Sequence, residues 1–153
     1  MELTSVYRTE SLILVGQFAA TWAMVGLIWV VQVVQYPLLG RVGPEEFQRY
    51  HNDYTRLVAW VVGPLMLVEL LTAVASVWWR PAVVPLWAAL VGLLLLGVTW
   101  ASTAFVQVPQ HDRLARGFEE DVWRRLVATN WLRTISWTLR GFLTAWMVLR
   151  AAG

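Results

Sequence analysis

The sequence has 153 residues, of which 58% are hydrophobic and 14% charged, and its formal net charge is +2. Soluble domains carry about 25% charged residues, so this composition excludes an ordinary hydrated surface, and the spacing of the arginines between long apolar stretches excludes a nucleic-acid-binding face. The absence of cysteine excludes disulfides, thiolate metal sites and cysteine nucleophiles. We therefore expect one membrane domain over residues 1–153.

Four apolar stretches are long enough to cross a bilayer, which takes about 20 residues. No charged residue occurs between Glu10 and Arg41, and a similar uncharged stretch follows Arg80. The other two stretches are interrupted by ionisable residues in their middle. The pattern predicts an all-α fold, an integral membrane four-helix bundle with spans at about 11–36, 57–79, 82–108 and 127–149.

The arginines predict the orientation of these spans. With four crossings, the connections 37–56 and 109–126 share one side, and both termini share the other. Most of the arginines lie at the connections and only three on the side of the termini, namely Arg8, Arg80 and Arg150. Because arginine-rich connections stay in the cytoplasm, we expect a cytoplasmic membrane protein with both termini outside.

Three short sequence matches recur in order along the chain. They are Val34-Gln35-Tyr36-Pro37 with Val106-Gln107-Val108-Pro109, Glu45-Glu46 with Glu119-Glu120, and Arg56–Ala59 with Arg125–Ala128. This order predicts two copies of one helix-hairpin unit. We expect each Gln-x-Pro to end an odd-numbered helix, because proline has no backbone N–H and disfavours helix in the residue before it.

Polar residues inside the spans predict an interior polar face, because in lipid such side chains turn toward each other or toward a cavity. Glu69 and Arg140 lie at similar estimated depths, about 20 Å along their helices. A lone charge at that depth costs at least about 2.5–3.5 kcal/mol, so we predict an intramembrane ion pair, either a structural lock or a catalytic element. One seam of the fourth span alternates steps of three and four, as packing seams do: Trp123, Leu126, Asn130, Arg133, Trp137, Arg140, Thr144, Met147.

Two histidines lie at the connections. His51 follows Gly43-Pro44 in a segment that reads as an interfacial helix, and His111 follows Pro109 at the mouth of the third span. Converging on one mouth, they could ligate a metal or haem iron, act as acid and base, or only form interfacial hydrogen bonds. No zinc spacing or phosphate loop occurs, so no metal site is predicted, and the expected cofactor is none, with haem or metal left open.

The stretches VQVPQHDRL and LVATNWLRTISWTLR resemble the anthrone oxygenase-like family of small four-span membrane proteins. The matching positions are Val108, Pro109, His111, Asn130, Trp131, Arg133 and Thr134. His111 stands where the family commonly shows asparagine. The resemblance implies the four-span fold and, through members similar to oxygenases of polycyclic anthrones, an oxygenase-like reaction without a known metal or flavin.

The functional expectation is a small lipophilic ligand, aromatic or quinone-like, that enters from the membrane lipids and binds at the mouth of the bundle. As an enzyme, the protein would use His111 and His51 to handle protons and Arg133 to stabilise an oxyanion. The expected substrate-binding residues are Gln107, Asn130, Trp131, Tyr54 and Gln35. The alternatives are a non-catalytic accessory or structural membrane subunit, or a haem- or metal-binding protein that uses His51 and His111. A homo-oligomer is compatible with the glycines of the spans.

Overall fold

Four long helices make up the computed structural model, which describes residues 2–153, with side chains from Arg8 onwards. Helix α1 covers residues 2–39, α2 covers Pro44–Trp78, α3 covers residues 86–114 and α4 covers Glu120–Ala152. No strand occurs in this part of the chain. The all-α prediction is confirmed.

The helices are arranged around the bundle in chain order. The most extensive contacts join α1 to α4, α1 to α2 and α3 to α4, and α2 also packs on α3. The connections between them are short, at 40–43, 79–85 and 115–119. Short connections make successive helices antiparallel neighbours, so one end of the bundle gathers the chain around positions 36, 51, 111 and 126.

The two Gln-x-Pro motifs do not end their helices, contrary to the sequence expectation. Helix α1 passes through Pro37 to Leu39, and α3 passes through Pro109 to Leu114. A π-helical turn precedes each proline, at Val31–Gln35 and at Thr103–Gln107. In each turn a backbone N–H donates five residues back, which widens the helix by one residue where proline removes a hydrogen bond.

Much of the chain expected to form connections is helical. Helix α2 begins at Pro44, more than ten residues before position 57, and the predicted interfacial helix is its first part. Likewise, α3 runs on to Leu114, and α4 begins at Glu120. Hydropathy predicts where apolar residues end, whereas a hydrogen-bonded helix continues into polar sequence. Both histidines therefore lie on helices, which hold them more rigidly than loops would.

Three helices are long and apolar enough to cross a membrane, namely Arg8–Leu39, Pro44–Trp78 and Leu86–Leu114. Helix α4 is not among them, because its inward face carries polar and charged residues that lower its mean hydropathy. The predicted seam of α4 is buried from Leu126 to Met147, with Trp123 half-buried. Its outward face is apolar, with exposed Trp131, Leu132, Ile135, Leu139, Phe142 and Leu149. Helix α4 therefore turns its polar face toward the other helices and its apolar face outward, the opposite of an amphipathic helix in a soluble protein.

Candidate functional site

A cavity of about 290 Å³ lies between the helices near the π-helical turns. One wall is apolar and comes from α1 and α2: Leu27, Ile28, Val31, Val58, Ala59 and Val62. The facing polar groups come mainly from α3, α4 and the end of α1: Tyr36, Gln107, His111 and Arg133. The lining is completed by Tyr54, Thr55, Thr103, Val108 and Asp112. We name this space the inner cavity. Ligand pockets are typically about 300–1,000 Å³, so its size suits a molecule of one to three rings.

Arg133 is the charged group of the polar wall, and only 7% of it is exposed. Its Nη1 donates to Asn130 Oδ1 at 3.1 Å, and its Nε has no partner. Within residues 8–153 no carboxylate forms an ion pair with it, and Asp112, also on the lining, is exposed. A buried charge without an opposite charge is costly. The inner cavity is therefore lined by a buried guanidinium that has no carboxylate partner.

Asn130 holds Arg133 in place and does not line the inner cavity. Its Nδ2 donates to Gln32 Oε1 at 2.8 Å, and Gln32 Nε2 donates to the carbonyl of Val127 at 3.1 Å. This fixes the amide so that its oxygen accepts from Arg133. Asn130, expected to bind substrate, lies behind the guanidinium and accepts a hydrogen bond from it.

Tyr36, His111 and His51 form a chain of hydrogen bonds, here named the relay. Tyr36 Oη lies 3.0 Å from His111 Nε2, and His111 Nδ1 lies 3.0 Å from His51 Nε2. His51 is buried, stacks on Phe47 with ring centroids 5.7 Å apart, and has no partner at Nδ1. Tyr36 and His111 line the inner cavity, while His51 lies behind them. The sequence prediction that the two histidines converge is confirmed by this contact.

The relay permits two arrangements of protons. The hydrogen bond between the two histidines needs one N–H and one bare nitrogen. The two rings together therefore hold at most one positive charge in this geometry. In one arrangement, Tyr36 donates to His111, which donates to His51. In the other, His51 donates to His111, His111 donates to Tyr36, and the Tyr36 hydroxyl proton is free to face the inner cavity. A proton can thus move along the relay with almost no movement of heavy atoms.

The relay also bears on the expected metal or haem alternative. Both His111 ring nitrogens and one of His51 are engaged in hydrogen bonds. Across the described residues, no group of three or more His, Asp or Glu side chains is placed to hold a metal ion. Ligation by both histidines would require breaking the bond that joins them. The geometry therefore fits proton handling better than metal binding.

Gln107 provides an acceptor on the polar wall. It is the last residue of the second π-helical turn and is buried. Its Nε2 donates to Thr129 Oγ1 at 3.1 Å, and its Oε1 has no partner. Because the amide nitrogen is fixed by Thr129, the oxygen is the atom of Gln107 that remains without a partner.

The other three expected substrate-binding residues occupy different places. Tyr54 lines the inner cavity and donates to Gln35 Oε1 at 3.1 Å. Gln35 lines a separate groove of about 470 Å³ on the outside of α1 and α2, named here the outer groove. Trp131 is on the exterior and packs on Trp29, with ring centroids 5.7 Å apart. It follows inward-facing Asn130 by one residue, about 100° around the helix, so it cannot share that direction.

The sequence analysis paired Glu69 with Arg140 from their estimated depths, and the structure confirms this ion pair. Arg140 Nε lies 3.3 Å from Glu69 Oε1, and both side chains are fully buried. Thr21 Oγ1 donates to Glu69 Oε1 at 2.7 Å, Trp137 Nε1 donates to Glu69 Oε2 at 2.8 Å, and Arg140 Nη1 donates to the carbonyl of Gly92. Both oxygens of Glu69 are satisfied. This central cluster ties α1, α2, α3 and α4 together, which fits a structural lock.

Sequence reasoning missed Tyr36 and Trp137 as site residues. Tyr36 follows the buried Gln32 by four residues, so its helical spacing indicated an inward position. Trp137 stood in the predicted seam, but nothing in a packing seam distinguishes a tryptophan that only packs from one that contacts two charged groups.

Neither a protein-family model, nor a curated protein, nor a solved structure matches this chain. The resemblance to the anthrone oxygenase-like family therefore stays a prediction.

Proposed function

We propose that this chain is an integral membrane four-helix bundle whose inner cavity binds a small lipophilic aromatic ligand with an acidic oxygen, held by Arg133. The observation that carries the proposal is a buried guanidinium with no carboxylate ion-pair partner on the polar wall of a cavity whose opposite wall is apolar. An anionic oxygen supplies the missing charge, and an aromatic body fits the apolar wall.

The distribution of tryptophans supports the membrane part of the proposal. Trp78, Trp79 and Trp87 are exposed toward one end of the bundle, and Trp29, Trp60 and Trp131 are exposed in a second group. Trp78 follows Trp60 by eighteen residues on α2, about 27 Å at 1.5 Å per residue. Tryptophan prefers the two membrane interfaces, and the hydrocarbon core is about 30 Å thick. The two groups therefore fit two interfacial belts.

This placement puts the two polar sites at different depths. Glu69 lies nine residues from Trp60 and ten from Trp79, so the central cluster falls at the middle of the bilayer. Tyr36, His51 and His111 lie beyond the Trp29 and Trp60 belt, at the level of the headgroups. Exposed arginines surround this end: Arg41, Arg49, Arg56, Arg113, Arg116, Arg124 and Arg125. By the arginine rule this end is cytoplasmic, and both termini are outside.

The polar wall favours a ligand with an ionised or strongly accepting oxygen. Arg133 and the Tyr36 hydroxyl are donors, and Gln107 Oε1 is an acceptor. An anthrone-like molecule suits this set, because removal of its methylene proton places negative charge on its carbonyl oxygen. Arg133 would stabilise that charge, and the relay would take the proton in the arrangement in which Tyr36 donates to His111 and His111 donates to His51. In this form the protein is an enzyme, and the resemblance to anthrone oxygenases agrees with it.

The test uses the protein in lipid nanodiscs with 2-naphthoate as an aromatic acid and 2-methylnaphthalene as its uncharged analogue. Binding is measured by calorimetry, with empty nanodiscs subtracted. We expect Arg133→Gln to weaken 2-naphthoate binding at least tenfold and to leave 2-methylnaphthalene unchanged. Arg125→Gln, which changes an exposed arginine of the same helix, is the matched control and should bind as the parent does.

Two results would contradict the proposal. Equal 2-naphthoate affinity in the parent and in Arg133→Gln would remove Arg133 from the site. Absence of saturable binding in the parent would favour the alternative, a non-catalytic accessory subunit whose polar wall only ties helices together. An absorption spectrum of the purified protein and mass spectrometry of its solvent extract complete the test, since a lipophilic aromatic acid retained through purification would be detected by either.

A further inference from the structure

The inner cavity and the outer groove share one wall. Leu27, Val31, Tyr54 and Val58 line both spaces. The outer groove continues from this wall along Val30, Leu57 and Val61, and these three side chains are exposed. A single layer of side chains therefore separates the inner cavity from the outer groove.

The shared wall is the apolar one. Tyr36, Gln107, His111 and Arg133 line the inner cavity and are absent from the lining of the outer groove. A ring that directs an acidic oxygen at Arg133 therefore turns its opposite edge to Leu27, Val31 and Val58. A substituent on that opposite edge points toward the outer groove, and one next to the acidic oxygen meets the polar wall.

Tyr54 is the residue of the shared wall whose side chain is held by a hydrogen bond. It is half-buried, and its hydroxyl donates to Gln35 Oε1, which lies on the groove side. A neutral hydrogen bond contributes only about 0.5–1.5 kcal/mol net, so the Tyr54 ring can be displaced at modest cost. The other three shared residues are aliphatic and tolerate an alkyl chain as a neighbour.

We propose that the outer groove is a second subsite, which takes an apolar tail attached to the ring edge opposite the acidic oxygen of the ligand. This rests on the proposed function, since the ring is the molecule bound at Arg133. The groove runs from Val30 and Val61, next to the exposed Trp29 and Trp60, toward Tyr50 and Asp53. Its apolar end thus faces lipid. An aromatic acid with an apolar tail can therefore enter the inner cavity from the bilayer with its ring first, leaving the tail in the outer groove.

The experiment compares two positional isomers with the same ring, charge and chain length, 6-butyl-2-naphthoate and 3-butyl-2-naphthoate. The chain lies opposite the carboxylate in the first and beside it in the second. In nanodiscs of the full chain we expect the 6-butyl isomer to bind at least tenfold tighter than the 3-butyl isomer. Because both carry the same ring, charge and chain, lipid partitioning cannot produce this difference.

Two variants locate the tail. Val61→Trp fills the outer groove at a residue that does not line the inner cavity, and should remove the preference for the 6-butyl isomer while leaving 2-naphthoate affinity within twofold. Leu67→Trp, at an exposed position further along the same helix, is the control and should keep the preference. The subsite is disproved if the isomers bind equally or if Val61→Trp keeps the preference. That failure is distinct from failure of the proposed function, in which 2-naphthoate itself does not bind in an Arg133-dependent way.

Discussion

The guanidinium carbon of Arg133 lies 5.1 Å from the centre of the Trp137 ring. The same indole donates its N–H to Glu69 Oε2 at 2.8 Å. Trp137 therefore contacts the cation of the inner cavity with its face and the anion of the central cluster with its edge. A cation over a desolvated tryptophan gains about 2 kcal/mol, which partly offsets the absence of a carboxylate near Arg133. This arrangement joins the candidate ligand site to the central cluster through one side chain.

Trp137→Phe separates the two contacts of Trp137. The phenyl ring keeps an aromatic face for Arg133, but Glu69 Oε2 loses its donor. A buried acceptor left unpaired costs about 1–3 kcal/mol, so we expect lower thermal stability in detergent and an affinity for 2-naphthoate within about threefold of the parent. Trp137→Leu removes both contacts and should lower stability and affinity together. An equal loss of affinity in both variants would show that the N–H, not the face, positions Arg133.

Removing the charge of Arg133 or of Arg140 is expected to change the stability of the fold by different amounts. Arg140 is paired with Glu69, so Arg140→Met leaves a buried carboxylate uncompensated, which costs about 3–5 kcal/mol. Arg133 has no carboxylate partner, so Arg133→Met leaves no uncompensated charge, but it leaves the buried Asn130 Oδ1 without its donor. We expect this variant to lose about 1–3 kcal/mol, less than Arg140→Met, while binding of 2-naphthoate is lost. Thermal unfolding of the two variants in one detergent checks the contrast.

A comparable loss of stability in Arg133→Met would mean that Arg133 has a structural role like that of Arg140. Glu69→Gln is the companion variant, since it leaves Arg140 without its counter-charge. If Glu69→Gln folds with the yield and stability of the parent, the ion pair is not a lock.

The sequence predicted the inward face of α4 almost residue by residue, because steps of three and four are a direct consequence of 3.6 residues per turn. The pairing of Glu69 with Arg140 followed from depth and from the cost of a lone charge in lipid. Both predictions rest on constraints that act along one helix or at one depth. They need no knowledge of how the side chains of neighbouring helices meet.

The paths of the helices through Pro37 and Pro109 could not be predicted in the same way. A proline predicts the loss of one hydrogen bond but not whether the chain stops or widens into a π-helical turn. The relay depends on that outcome, since Tyr36 lies before Pro37 and His111 after Pro109. A motif also does not show which way its side chains point. Asn130 and Trp131 belong to the motif that resembles a family, but Asn130 lies behind Arg133 and Trp131 lies on the exterior.

The relay predicts the tautomers of the two histidines, which are the only two in the chain. If Tyr36 donated to His111, the buried His51 Nδ1–H would have no acceptor, and orphaned buried N–H groups are rarer than unpaired acceptors. We therefore expect both rings to carry their proton on Nε2 in the ligand-free protein, with the Tyr36 hydroxyl proton free for the inner cavity. Nitrogen-15 NMR of histidine-labelled protein measures this, and His51→Asn assigns the two signals. Two Nδ1–H tautomers would reverse the direction of the relay.

Alanine substitutions at Gly40 and at Gly97 are expected to have opposite effects on the stability of the fold. A Cβ on Gly40 would lie 2.5 Å from a ring carbon of Trp123, whereas a Cβ on Gly97 meets nothing within 4 Å. Trp123 Nε1 donates to the carbonyl of Tyr36 at 2.7 Å, so displacing its ring disturbs the residue that begins the relay. We expect Gly40→Ala to cost about 1–3 kcal/mol, as overpacking does, and to weaken 2-naphthoate binding. Gly97→Ala, inside α3, should stabilise the fold by up to about 1 kcal/mol. Equal unfolding temperatures for the two variants would show that Trp123 moves aside freely and does not hold Tyr36.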